Sequence, residues 1–407
     1  MTLRWSTEKN TELLILEVDY MEKQRKKVHL AEEKLFAAVR GKRIGLMMNS
    51  TAIHNDYRLL IDIMHEAGEC EIAFVFGMEH GVRCNHSAGE RDTVLCDEKT
   101  GIPIIDLYQY PGRRPPVESL RQVDAVVYCT QDAGVRHWTF TPWMLYLLDS
   151  AAEAGCPVII VDRPNPIGGT AVEGNLVEDK YKDTLLTGFG YPIRHGMTVG
   201  ELALMYKEER GLKLDLTVLL AEGWERDMYY SETGLLWVPP TVNITTPYSF
   251  LDFAATGLIQ SSNLFIGDHT SVTFKYVGRP EFSSEALAAE LNSRGLSDVY
   301  FAPKFYMSST RWEKDVILPS EGVYLAYFDP KEYKPVRAQL HLIDALAKLY
   351  SEYIDFEYKP SWARKRMGTD DIYNLLERGE SLLPLVEKWE NDSEIFKEKR
   401  KPFLLYK

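Results

Sequence analysis

Glu79, His80 and Arg83 stand together directly after an apolar run, Glu71 to Phe76, that stops at Gly77. Glu90 and Arg91 follow a second glycine-bearing turn at Ala88-Gly89. An acid, an imidazole and a guanidinium at the end of an apolar strand are the parts of an acid/base site on an open α/β sheet. A carboxyl at a strand end beside an apolar wall suits a general acid. Glu79 is therefore the candidate catalytic group.

Three further apolar runs end in polar, turn-rich loops. The first yields Asn49-Ser50-Thr51, another Gln131-Asp132-Ala133-Gly134-Val135-Arg136, and the last Asp162-Arg163-Pro164-Asn165-Pro166 with Gly168-Gly169. In a parallel sheet all four loops emerge at the carboxyl edge, where ligands bind. Any one of them could be a turn satisfied by its own Asx side chains; the convergence of four is the signal. Arg83, Arg136, Arg163 and Arg194 are expected on that edge, and a planar guanidinium fork suits carboxylate or phosphate. The plainer reading is that some of them pair with Asp132, Asp162 or Glu90 and brace the loops. Arg194 and His195 precede Thr198 and Glu201, whose T-x-x-E spacing predicts a capping box at a helix start.

Other chemistries fit poorly. No G-x-G-x-x-G follows the first strand, no phosphate-binding G-x-x-x-x-G-K-[ST] occurs, and no G-x-S-x-G elbow is present. His80, Cys84, His86 and Cys96 match no zinc spacing. No metal and no cofactor is expected.

The elements that must position these groups read as a β/α alternation from Arg43 onward. Runs such as VVYC and PVIIV, apolar at every position, predict strands covered on both faces and hence a parallel sheet. The fold class is α/β, a Rossmann-like doubly wound sheet over residues 41–212. It is preceded by a helical lead-in (1–40) and followed by a smaller α+β domain (213–407), where the short βα rhythm is lost. A net charge of -13 argues against nucleic acid, and the short basic clusters, Arg113-Arg114 among them, read as solvated surface. Five cysteines, with no C-x-x-C pair, suit a reducing compartment. Charges interrupt the N-terminal stretch throughout, and no apolar run reaches the ~20 residues of a membrane span. A cytoplasmic protein is expected, with no membrane partner and no reading of oligomeric state.

An ordered set of motifs narrows this. GMEHG (77–81), Ala88-Gly89-Glu90, QDAGVR (131–136), DRPNPIGG (162–169), VEG (172–174), RHGMTVGEL (194–202), WVPP-x-x-N (237–243) and KPVR (334–337) together resemble the NamZ-like exo-β-N-acetylmuramidases. The resemblance covers about residues 40–375. It implies a cleft between a Rossmann-like domain and a smaller one, and release of terminal N-acetylmuramic acid from peptidoglycan-derived fragments. It places the family's catalytic glutamate on Glu79, with His80 orienting that carboxylate or the sugar. It makes Asn49, Arg83, Glu90, Gln131, Asp132, Arg136, Asp162, Arg163, Asn165, Arg194, His195 and Asn263 candidate substrate contacts. The lactyl carboxylate of muramic acid gives the arginines a purpose, and a small anionic amino sugar or muropeptide is the expected partner. Glu90, Asp132, Asp162, His195 or the substrate's own acetamido group could complete the chemistry.

The chain also departs from the family pattern. Ala52 replaces a glycine, Gln260 a glutamate and Asp268 an arginine, and Pro319-Ser320-Glu321-Gly322 stands where Cys-Gly-Gly is common. Two alternatives follow: a non-catalytic muropeptide or amino-sugar binder, or an α/β hydrolase for another small anionic sugar.

Overall fold

The computed structural model describes residues 27–54, 56–86, 95–268, 270–310 and 317–407. Glu90 and most of the N-terminal lead-in lie outside the described residues.

Six parallel strands form the main sheet: β1 (Arg43–Met48), β2 (Glu71–Gly77), β3 (Ile104–Asp106), β4 (Ala125–Cys129), β5 (Val158–Val161) and β6 (Leu216–Leu219). Their order is β3-β2-β1-β4-β5-β6. The sheet winds out from β1 in both directions, so its topological switch point lies between β1 and β4. α1 (Glu32–Val39) and α2 (Leu60–Ala67) cover one face through Leu35, Val39, Leu60 and Met64 against Ile44, Leu46 and Val127. α4 (Phe140–Ala154) and α5 (Val199–Arg210) cover the other, through Trp143, Leu147 and Leu202 against Val126 and Ile160; the short α3 spans Val117–Leu120. Strands covered on both faces are what the continuous apolar runs require. The Rossmann-like expectation is met.

Local signals set the helix ends. Thr198 and Glu201 form the expected capping box at the start of α5. Gly155 and Gly211 close α4 and α5 in the left-handed conformation. β6 lies beyond the expected boundary at residue 212 yet joins the parallel sheet beside β5. Its short, half-buried edge position hides the apolar signature of the inner strands.

The second part is smaller. β7 (Tyr276–Arg279), β8 (Tyr300–Ser308) and β9 (Leu318–Ala326) form an antiparallel sheet in the order β7-β9-β8. α7 (Ser284–Asn292) lies on that sheet, and α8 (Pro335–Tyr350) packs on α7 and on α6 (Ser249–Thr256). Then come α9 (Pro360–Met367), α10 (Asp371–Glu377) and α11 (Pro384–Arg400). One apolar cluster runs from the α4/α5 face of the main sheet into this part, linking Tyr128 and Trp143 to Phe253, Val277 and Leu346.

Candidate active site

β2 ends at Gly77, and the next four residues turn sharply: the Gly81 amide donates to Met78 O at 3.0 Å. His80 and Gly81 both take positive φ, 67° and 76°. A Cβ on Gly81 would stand 2.4 Å from His86 Cδ2, so this turn requires glycine twice over, for its conformation and for the close approach. The turn leaves Glu79 and His80 half-buried on the wall of a cavity of about 350 Å³. His80 Nδ1 is 3.1 Å from His86 O. A nitrogen facing a carbonyl carries the proton, which leaves the Nε2 lone pair available.

β3 supplies the neighbour of Glu79. Its last residue, Asp106, accepts from the Tyr108 amide at 2.9 Å and starts a single helical turn, Leu107–Gln109. That turn aims the Tyr108 hydroxyl at Glu79, to whose Oε2 it donates. The guanidinium of Arg113 lies over the Tyr108 ring, 4.6 Å from its centroid. Arg113 itself has φ 57°. Six described non-glycine residues have positive φ, and three of them (His80, Arg113 and Phe274) line this cavity. Strained backbone of this kind gathers at functional sites.

The remaining walls are aromatic and come from both parts of the chain. Trp138 precedes α4, Phe253 sits on α6, Phe274 precedes β7, and Trp362 sits at the rim on α9. The His137 and Phe253 rings are 4.2 Å apart, and Trp138 meets Phe250 edge-on at 5.2 Å. His137 Nε2 lies 3.3 Å from Phe253 O, while Nδ1 is buried without a partner, as is Trp138 Nε1. Burial, and then the Arg366 and Arg136 cations, hold the His137 imidazole far below its usual pKa, so it is neutral. His137 Nδ1 and Trp138 Nε1 both lie behind the wall, without accessible surface. Arg366 Nη1 donates to Gln260 Oε1 at 2.5 Å and to Gly257 O at 3.3 Å. Among the described lining residues Glu79 is the one carboxylate, and Arg113 and Arg366 are the two guanidinium groups. Aromatic faces with a few convergent polar groups and one carboxyl suit a sugar ring beside an acid.

Residues 44–248 match the N-terminal domain, and residues 251–406 the C-terminal domain, of the exo-β-N-acetylmuramidase NamZ. The chain belongs to the NamZ family. It is 33% identical over 369 residues to the peptidoglycan β-N-acetylmuramidase NamZ of Bacillus subtilis (strain 168), spanning 90% of this chain and 88% of that protein. Two crystal structures of DUF1343 family proteins from Bacteroides fragilis NCTC 9343 share the fold. One has a TM-score of 0.85 at 30% identity, and the other 0.73 at 28%. They cover 94% and 93% of this chain, which in turn covers 99% of each.

Of the residues singled out in the NamZ-like motifs, the fold brings Glu79 and His80 to the cavity. Most of the others lie beneath it and hold loops to loops. Asn49 Oδ1 accepts from Thr51 N and Oγ1, and Thr51 Oγ1 accepts from the Gln131 amide at 2.9 Å, tying β1's loop to β4's across the switch point. The Gln131 side chain donates to Asp132 O and Pro164 O. Asp132 accepts from Thr141 and from the Gly134 amide, and lies 3.4 Å from His195 Nε2. Burial pushes the Asp132 carboxyl up, but His195, Thr141 and Gly134 outweigh it and hold it below its ordinary value. Asp162 takes hydrogen bonds from Thr198, the Gly200 amide and Tyr406. Asn165 donates to Met197 O at 3.0 Å.

The four arginines expected on the substrate edge are engaged elsewhere. Arg83 forks onto Asp97 and reaches Asp62 at 2.8 Å. Arg136 donates to Asn175 O, Tyr191 O and Met367 O. Arg163 donates to Ile53 O, and Arg194 to Glu173, Ile167 O and the Tyr229 hydroxyl. Asn263 joins Tyr353 O and the Asp355 amide away from the cavity. An arginine on a strand-end loop reaches inward because the crowded edge offers carbonyls and carboxylates within the length of its side chain.

Sequence reasoning passed over Tyr108, Arg113, His137, Trp138 and Arg366. The one available signal was the Gln260 departure, which falls in the cavity wall beside Arg366. Arg113 read as solvated surface, and Tyr108, His137 and Trp138 stood in no motif.

Proposed function

We propose that this protein is an exo-acting glycoside hydrolase that releases non-reducing-end β-N-acetylmuramic acid from peptidoglycan-derived fragments, with Glu79 as the acid/base. Membership of the NamZ family supports the reaction class. One observation carries the residue assignment: Glu79 is the single carboxylate among the described residues of an aromatic-walled cavity, and Tyr108 fixes one of its oxygens.

As acid, Glu79 delivers a proton to the glycosidic oxygen while the bond from that oxygen to C1 breaks. Water then adds at C1 and returns a proton to the carboxylate. Tyr108 orients the carboxyl, and His80 stands beside it with a lone pair that steers the water or a sugar hydroxyl. Trp138, Phe274 and Trp362 offer faces for the sugar ring. Of the second groups weighed, Asp132, Asp162 and His195 are buried away from the cavity.

Glu79 comes from the first unit, and Phe253, Gln260 and Arg366 from the second. That sharing supports a catalytic unit over about residues 41–212, extended by β6, and an auxiliary unit that completes the cleft. Among the described residues no helix is long and apolar enough to cross a membrane. Five cysteines, none disulfide-bonded, support a reducing compartment and a role in recycling internalised fragments.

The test is release of para-nitrophenol from para-nitrophenyl β-N-acetylmuramide. Glu79→Gln should lower kcat by about 10²–10⁴-fold while the protein still binds N-acetylmuramic acid. Equal release by both proteins would remove Glu79 from the chemistry, and no release by the wild type would remove the activity.

A further inference from the structure

We propose that Arg113 is the anion-reading residue of this cavity and that its target is the lactyl carboxylate of the muramyl ring. The proposal rests on the muramyl reading above, and extends it to a residue that neither the motifs nor the family comparison singles out.

The first observation is that the expected cations are spent. Arg83 and Arg194 are paired with carboxylates, and Arg136 and Arg163 donate to main-chain carbonyls; none of them lines the cavity. Arg113 does line it, and among the described residues it forms no ion pair. Its neighbour is the Tyr108 ring face, 4.6 Å away. Stacking on an aromatic ring holds a guanidinium plane in place and leaves its edge N–H groups free to grip a carboxylate with two parallel bonds.

The second observation is the backbone. The turn Pro111-Gly112-Arg113 carries two successive left-handed residues, Gly112 at φ 63° and Arg113 at φ 57°. The Arg113 amide donates to Tyr110 O at 2.9 Å and fixes that turn. A left-handed arginine costs about 1 kcal/mol or more where a glycine would cost nothing, which argues that the side chain itself is needed there. The position also fits the substrate. One tyrosine ring separates Arg113 from the carboxylate assigned to the anomeric centre, and the lactyl group stands on C3 of the same sugar ring.

The experiment compares para-nitrophenyl β-N-acetylmuramide with its lactyl methyl ester, which has the same ring and no charge. The wild type should prefer the acid, and in Arg113→Met the acid-to-ester ratio of kcat/KM should fall toward one. The loss on the acid should be about 10–100-fold and carried by KM, with part recovered in Arg113→Lys. An unchanged ratio, or a fall confined to kcat on both compounds, would overturn the proposal and make Arg113 a support for Tyr108. Calorimetric titration of wild type and Arg113→Met with N-acetylmuramic acid and its methyl ester separates this from the hydrolase reading. If the wild type turns over neither compound, the hydrolase reading fails. Charge-selective binding that Arg113→Met abolishes would still uphold Arg113, and binding indifferent to charge would overturn it.

Discussion

A glutamate whose Oε2 is held by a tyrosine hydroxyl has lost most of its rotational freedom, and that is what an acid poised over one bond requires. Tyr108→Phe removes the hydroxyl and keeps the ring under Arg113. A hydrogen bond to a charged group is worth roughly 1.5–3 kcal/mol, so kcat should fall about 10–100-fold. KM should change little, and steady-state kinetics on the para-nitrophenyl muramide reads the split. At this scale Glu79 and His80 were legible because a glycine-stopped strand advertises whatever polar groups follow it. Tyr108, His137 and Trp138 were not, because an aromatic beside an apolar run has the same sequence signature whether it fills a core or walls a cavity. Arg113 was read as solvent-exposed because nothing in a Gly-Arg-Arg-Pro run shows which way a left-handed turn aims it.

At the scale of elements, the end of β5 is tied to the start of α5 by Asp162. It accepts from Thr198, from the Gly200 amide and from Tyr406. Burial pushes its carboxyl up to about 7, and the three hydrogen bonds only partly offset this. The folded protein therefore keeps a proton that the unfolded chain has released between pH ~4 and ~7. Stability from this group is full below the unfolded value and is lost as pH rises through about 7, by up to about 1.4 kcal/mol per pH unit. Neutral buried His137 acts with the opposite sign, so the clean quantity is the difference between wild type and Asp162→Asn. Urea midpoints at pH 5 and pH 8 should show the wild type losing more stability than the variant over that interval. Equal losses would show that Asp162 does not titrate there. The inner strands, the capping box at Thr198 and Glu201 and the helix Pro335–Tyr350 were all legible, since each rests on a local pattern. β7 and β8 were not. β8 is an exposed edge strand carrying Lys304, Phe305 and Met307, so no alternation marks a buried face.

Across the whole molecule, the two parts are joined by buried polar contacts as well as by the apolar cluster. Arg136 follows β4, yet it donates to Met367 O at the end of α9 as well as to Asn175 O and Tyr191 O. Burial lowers its guanidinium to about 9, and these carbonyls are what make its charge tolerable there. Arg136→Met leaves three carbonyls without that donor and should cost about 3 kcal/mol or more, read as a lowered urea midpoint. Protein that remains folded should keep its KM, since Arg136 does not line the cavity. A raised KM with unchanged stability would return Arg136 to the substrate contacts. The chain's last residues make a similar return: the Leu405 amide donates to Glu201 and the Tyr406 hydroxyl to Asp162.

The sequence by itself determined the parallel sheet and the family, and put Glu79 forward as the candidate acid. These depend on periodicity, glycine stops and ordered motifs, which are local along the chain. The tertiary structure decided which charged groups reach the cavity. Whether an arginine clamps substrate or braces a loop depends on the acceptors within reach of its side chain, and those come from segments up to 231 positions away, as between Arg136 and Met367. The motif arginines found partners inside the protein, and the guanidinium groups at the cavity came from Arg113 and Arg366 instead.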